Sequence, residues 1–183
     1  MQKVVLSEIS LIHGSVAMPK GFEIDRDQIR NDIIESYVKK NRINNNPKAY
    51  SFDDYAVPFS QPLQWMQDYL RDHVRVEHGF TLVYKSMFGN VMHPKEKSWT
   101  RHQVDPVDLR NSPDYTVIYG VDVKEGSSEC IIEYDDNRRK NRTWHLPIKN
   151  NEFIMFPATN KYSFSPNTSN GLNIILTLNY EFI

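Results

Sequence analysis

A single cysteine, Cys130, stands in this chain of 183 residues. That excludes an internal disulfide and any zinc site of the Cys-x-x-Cys type, and it suits a reducing compartment. Glycine is also scarce: seven residues are scattered along the chain, and none forms a phosphate-cradling loop. No repeat unit recurs, which removes solenoids and propellers. Long hydrophobic runs are missing too. The N-terminal stretch meets Ser7 and Glu8 before any apolar segment is long enough for a signal peptide or a membrane span. Neither sign of charge is in excess, since 22 Lys+Arg against 23 Asp+Glu leave a net charge of -1. Bulk electrostatics therefore gives no reason to expect a nucleic-acid or anionic-membrane partner. What is plentiful is aromatic: three tryptophans, ten tyrosines and nine phenylalanines, in a composition 39% hydrophobic. Disordered chains are poor in such residues. The expectation is one domain over residues 1–183 that folds in water, in the cytoplasm or in a particle assembled there.

Periodicity divides that domain in two. Val5, Ile9 and Leu11 alternate with polar residues and predict a strand over 4–12, ended by His13-Gly14. Asp25 and Gln28 have the form of a capping box, and Ile29, Ile33 and Tyr37 follow at helical spacing, predicting a helix over 26–41. Ser60 as N-cap and Pro62 in the first turn open a second helix, with Leu63, Met66, Leu70 and Val74 on one stripe. Residues 44–59 are the loop between them. From residue 80 onward the period becomes two, in segments 81–84, 115–121, 130–134 and 172–183, separated by turn-forming runs at 111–114, 124–127, 135–137 and 166–171. A strand and helices over 1–79, then strands over 80–183 with no βαβ alternation, predict an α+β fold: a double-stranded β-helix (jelly roll) with an N-terminal strand and two packed helices.

Six histidines, at 13, 73, 78, 93, 102 and 145, are the natural metal-ligand candidates, because a non-haem iron site needs two imidazoles and a carboxylate on one face of the metal. His102 stands close to Asp105, but three positions apart on an extended strand face opposite sides. The pair meets only if Pro106 marks a turn that swings Asp105 back. Otherwise His102 bonds locally in a loop and Asp105 caps a turn. Cys130, inside an apolar segment, reads as an inert buried thiol rather than a nucleophile. Asp53-Asp54 and Asp135-Asp136 sit among turn formers and read as caps, not as an acid/base dyad. Trp65, Trp99 and Trp144 are too dispersed to outline a carbohydrate cleft.

From Trp99 to the C-terminus, the order of segments resembles the double-stranded β-helix of the iron(II)/2-oxoglutarate-dependent dioxygenases. This family includes the prolyl hydroxylases and the short oxygenase-like proteins of tailed marine phages. Trp99-Thr-Arg-His102 followed by residues 114–119 looks like the first metal-ligand turn and the strand after it, and residues 125–129 look like the family's Gly-Gly-Glu turn without its glycine pair. Residues 150–157, ending in Phe156-Pro157, are similar to the strand that precedes the second iron-binding histidine. At that histidine's position stands Tyr162, and Asn173 stands where the resemblance implies the cation that binds 2-oxoglutarate. A phenol of ordinary pKa is a poor ligand for iron(II), and an asparagine makes no charge-assisted bond to a carboxylate.

Two readings follow. In the first, the scaffold is retained without its chemistry: no cofactor and no catalytic residue. The protein then serves as a structural or interaction component with other protein chains of a multi-copy assembly, such as a phage tail, neck or baseplate. In the alternative, an active hydroxylase of a protein substrate uses iron(II) and 2-oxoglutarate. It draws its ligands from His102, Asp105, Tyr162 and His145, with Asn173 at the co-substrate position. His93 is a further substitute ligand, and Arg138, Arg139, Arg142 or Lys161 substitute cations. The charged run 135–142 reads more simply as a hairpin turn that keeps a sheet edge from pairing with other chains.

Overall fold

A computed structural model describes residues 9–43, 54–136 and 139–183, with the side chains of 41–43 left aside. Strand β1 (Ile12–Ser15) leads to helices α1 (Arg26–Ile43) and α2 (Gln61–His78). Seven strands follow: β2 (Leu82–Met92), β3 (Tyr115–Asp122), β4 (Glu129–Tyr134), β5 (Arg142–Pro147), β6 (Glu152–Pro157), β7 (Lys161–Phe164) and β8 (Asn173–Phe182). They form a five-stranded sheet in the order β1-β6-β3-β8-β2 and a three-stranded sheet in the order β5-β4-β7, and every ladder is antiparallel. This is the predicted α+β jelly roll with two helices.

The helices begin where the sequence predicts. The backbone N–H of Gln28 donates to Asp25 Oδ1 at 3.0 Å, which is the capping contact expected before α1. Leu63, Met66, Leu70 and Val74 of α2 are all fully buried. The helix ends at Gly79, whose φ of 79° is left-handed and lets its N–H reach the Arg75 carbonyl. The N-cap is plainer than expected, because the Ser60 side chain makes no capping hydrogen bond.

The first strand differs from expectation. Residues 4–8 lie outside the described residues, and the strand is at Ile12–Ser15, running through His13 and Gly14 rather than stopping there. Partner strand β6 decides this, pairing Gly14 with Phe153 and His13 with Ile154. Strand β2 likewise runs well past the expected 81–84, because β8 offers it a partner from Leu82 to Met92, with one bulge between Tyr84 and Ser86.

Two apolar clusters result. One lies between the helices and the outer face of the large sheet, and includes Ile29, Ile33, Leu63, Leu70, Val117, Tyr119, Leu176 and Leu178. The other fills the space between the sheets, with Met92, Ile118, Cys130, Ile132, Ile154, Phe156, Tyr162, Phe164 and Ile175. Alternation along β8 separates the two: Ile174, Leu176, Leu178 and Tyr180 face the helices, while Ile175 faces the interior of the jelly roll.

Candidate functional site

Residues 98–101 run along the free edge of β7. Ser98 and Arg101 donate backbone N–H groups to the carbonyls of Phe164 and Tyr162, and Tyr162 returns the bond to Arg101 at 3.0 Å. This places the next residues of the chain at the mouth of the jelly roll, beside the inward-facing Tyr162.

Tyr162 is fully buried between Phe156 and Phe164, whose ring centroids lie 5.3 and 5.7 Å away. Burial pushes its phenol up to about 12, while the nearby Arg101 guanidinium and a hydrogen bond from Gln103 pull the other way. Gln103 Nε2 donates to the Tyr162 hydroxyl at 2.8 Å, and Gln103 Oε1 accepts from Asn179 Nδ2 at 3.3 Å. Asn179 Oδ1 accepts from Thr116 Oγ1 at 3.0 Å, and Asn179 Nδ2 also donates to Ser86 Oγ at 3.2 Å. A second group lies beside this one. Thr177 Oγ1 donates to Asn90 Oδ1 at 3.1 Å, Asn90 Nδ2 donates to Asp54 Oδ1 at 3.3 Å, and Asp54 pairs with Arg101. The Arg101 guanidinium lies 5.6 Å from the centroid of the Phe88 ring.

Asn173 is also buried, at the start of β8. Its Nδ2 donates to Ser127 Oγ at 2.8 Å and Ser128 Oγ at 2.7 Å, and its Oδ1 accepts from the Lys124 N–H at 3.1 Å. All three partners lie in the turn between β3 and β4, at residues 124–128, where the resemblance puts the Gly-Gly-Glu turn.

The remaining candidates lie elsewhere. His102 is exposed, with Nε2 3.2 Å from the Thr159 carbonyl. Asp105 is exposed and accepts from the Val107 N–H at 2.8 Å, which makes it a turn cap before Pro106. His145 stands on the exposed strand β5, with Nδ1 3.1 Å from Glu129 Oε2. His93 contacts the Tyr37 hydroxyl of α1 at 2.9 Å. Arg142 pairs with Asp136 at 2.5 Å, the Arg139 N–H bonds Asp136 Oδ1, and Lys161 is exposed. Arg138 lies outside the described residues. Cys130 is buried, and desolvation pushes its thiol upward, away from the thiolate.

Of the candidate ligand and co-substrate residues that are described, Tyr162 and Asn173 are the two that point into the jelly roll. Gln103, Asn179, Asn90, Thr177, Thr116 and Arg101 were not anticipated. The signal that could have found Gln103 is its place two residues before Asp105, the spacing at which two side chains share one face of an extended segment. Iron(II) takes imidazole and carboxylate ligands. Around Tyr162 the interior offers an amide and a phenol that burial keeps protonated at neutral pH, the nearby Asp54 carboxylate is engaged by Arg101 and Asn90, and among the described residues no three His, Cys, Asp or Glu side chains group to hold a metal. These donors do not suit iron, and neutral Asn173 does not suit a carboxylate co-substrate. No helix among the described residues is long and apolar enough to cross a membrane.

No protein-family model matches the sequence, and no curated protein matches it. Solved structures do. AviO1 from Streptomyces viridochromogenes Tue57 is 8% identical, with 94% of this chain and 90% of that chain covered at a TM-score of 0.59. A prolyl hydroxylase from Trichoplax adhaerens, in complex with a peptide fragment of the hypoxia inducible factor oxygen degradation domain, is 8% identical over 93% of this chain and 83% of its own, with a TM-score of 0.58. A prolyl-4-hydroxylase from Pseudomonas putida is 9% identical over 93% and 91%, with a TM-score of 0.55. At such identities the likeness is one of fold, and the fold of this chain is the double-stranded β-helix of the 2-oxoglutarate/iron(II) oxygenases.

Proposed function

We propose that this protein is a non-catalytic, oxygenase-like jelly roll. In this reading it binds neither iron nor 2-oxoglutarate and works as a structural or interaction component of a multi-copy assembly, such as the tail, neck or baseplate of a phage virion. One observation carries the first half: Tyr162, which stands where the resemblance implies the second ligand, is buried, and its hydroxyl is already engaged by Gln103. Asn173 supports it, since its amide is engaged by Ser127, Ser128 and Lys124. Fold alone does not carry activity.

The surface supports the second half. Strands β1 and β2 are the two edges of the large sheet, and β5, exposed along most of its length, edges the small one. Trp99, Val107, Leu109 and Trp144 are large apolar side chains on the outside. Edges and exposed apolar groups of this kind suit packing against other protein chains. With balanced charge, nucleic acid and membrane surfaces are not the partners expected.

The test is a thermal-shift titration of the metal-stripped protein with manganese(II), a redox-silent substitute for iron, alone and with 2-oxoglutarate. A ligand that binds only the folded state must raise the melting temperature. The expected result is no shift at millimolar ligand. A rise with manganese that grows with 2-oxoglutarate would overturn the proposal in favour of an active hydroxylase.

A further inference from the structure

We infer that Gln103, rather than His102, stands at the first-ligand position, and that with Tyr162 at the second it has turned the metal position into a hydrogen-bonded cross-link between the two sheets. The inference rests on the non-catalytic reading above and says what has taken the metal's place.

Geometry selects Gln103. It is the residue next to His102, and its side chain meets Tyr162 directly. His102 points instead to the Thr159 carbonyl. A metal ties strands together by drawing ligands from several of them to one point. Here one neutral amide does so with directed bonds. Its Nε2 donates to Tyr162 on β7, in the small sheet, and its Oε1 accepts from Asn179 on β8, in the large sheet. Asn179 carries the link to Thr116 on β3 and Ser86 on β2. Gln103 is then a positioning residue that holds segment 98–103 and both sheets in register. A polar network of this kind is costly when only partly satisfied, so its members should be strongly coupled.

A double-mutant cycle on the full chain tests the coupling, with Tyr162→Phe and Gln103→Met read by denaturant unfolding. Both substitutions keep the apolar shape. Tyr162→Phe leaves the Gln103 amide short of one partner, Gln103→Met leaves both the Tyr162 hydroxyl and an Asn179 amide hydrogen short of one, and each should lower the folded-to-unfolded ratio by roughly five- to thirty-fold. The double variant should lose less than the product of the two, by about three-fold or more. Multiplicative losses would overturn the cross-link while leaving the non-catalytic reading intact. Position is tested separately by Gln103→His with Tyr162→His, which should bring two imidazoles together inside the jelly roll while Asp105 still caps its turn outside. This double variant should show a manganese(II)-dependent rise in melting temperature where the parent shows none. A folded double-histidine variant that stays silent would overturn the assignment of Gln103, and if that variant does not fold, the cycle decides. A shift in the parent itself would instead sink the non-catalytic reading.

Discussion

Ile33 of α1 sits directly on Gly89 of β2, so close that a Cβ built on the glycine would lie 2.6 Å from the isoleucine Cγ1 and 2.7 Å from its Cγ2. The helix layer can approach the large sheet here only because residue 89 has no side chain. Gly89→Ala should therefore force α1 and β2 apart and cost about 1–3 kcal/mol, the range for overpacking a filled core. Ile33→Ala alone should cost about 2–5 kcal/mol through the cavity it leaves. Combined, the two should cost clearly less than their sum, because each relieves the other. Urea midpoints for the four proteins check this, and additive losses would mean that the contact does not limit the approach.

Alkaline pH should weaken the fold through Tyr162. An unfolded tyrosine titrates near 10, whereas burial pushes this one up to about 12. The folded value lies above the unfolded one, so the stabilisation is fully present below pH ~10 and is lost as pH rises from about 10 to about 12. Over that window the loss amounts to about 2–3 kcal/mol. Tyr119 and Tyr180, also raised by burial, act in the same sense. Tyr162→Phe removes one titrating group, so its stability should fall less steeply over the same window. Unfolding free energies at several pH values from 9 to 12 read the slope; equal slopes for parent and variant would show that the phenol is not held protonated by the fold.

Much of this fold is legible because its signals are local. The stripe Leu63, Met66, Leu70 and Val74 and the Asp25–Gln28 cap are set by residues three or four apart, and both helices are found with their starts in place. The lengths of β1 and β2 are not local. They depend on β6 and β8, far along the chain, and His13-Gly14 reads as a strand end until β6 is seen to pair with it. The site follows the same division. Segment order singles out Tyr162 and Asn173, and both are buried, whereas the pairing of Arg101 with Asp54 spans 47 positions and leaves no trace in either neighbourhood. Gln103 was passed over for an adjacent histidine. A neutral amide carries no charge or titration to single it out, and its role exists only through Tyr162 and Asn179.

Asn173 supplies the last test, because its position separates a structural amide from a degraded carboxylate site. Its two amide hydrogens go to Ser127 and Ser128 and its oxygen takes the Lys124 N–H, so one side chain secures the start of β8 to the turn before β4. Asn173→Ala strands those partners in a buried place and should cost about 2 kcal/mol or more. Asn173→Arg brings the cation that the resemblance implies, but puts it against hydroxyl and N–H groups with no anion facing it in the contacts seen here. Burying an unpaired charge is costlier still, so the arginine variant should be the less stable of the two. It should gain nothing from 2-oxoglutarate in a thermal-shift titration. If the arginine variant instead matched the parent in stability and was stabilised by 2-oxoglutarate, the co-substrate pocket would still be open, and the buried amide would be a substitution within a working site rather than part of a closed core.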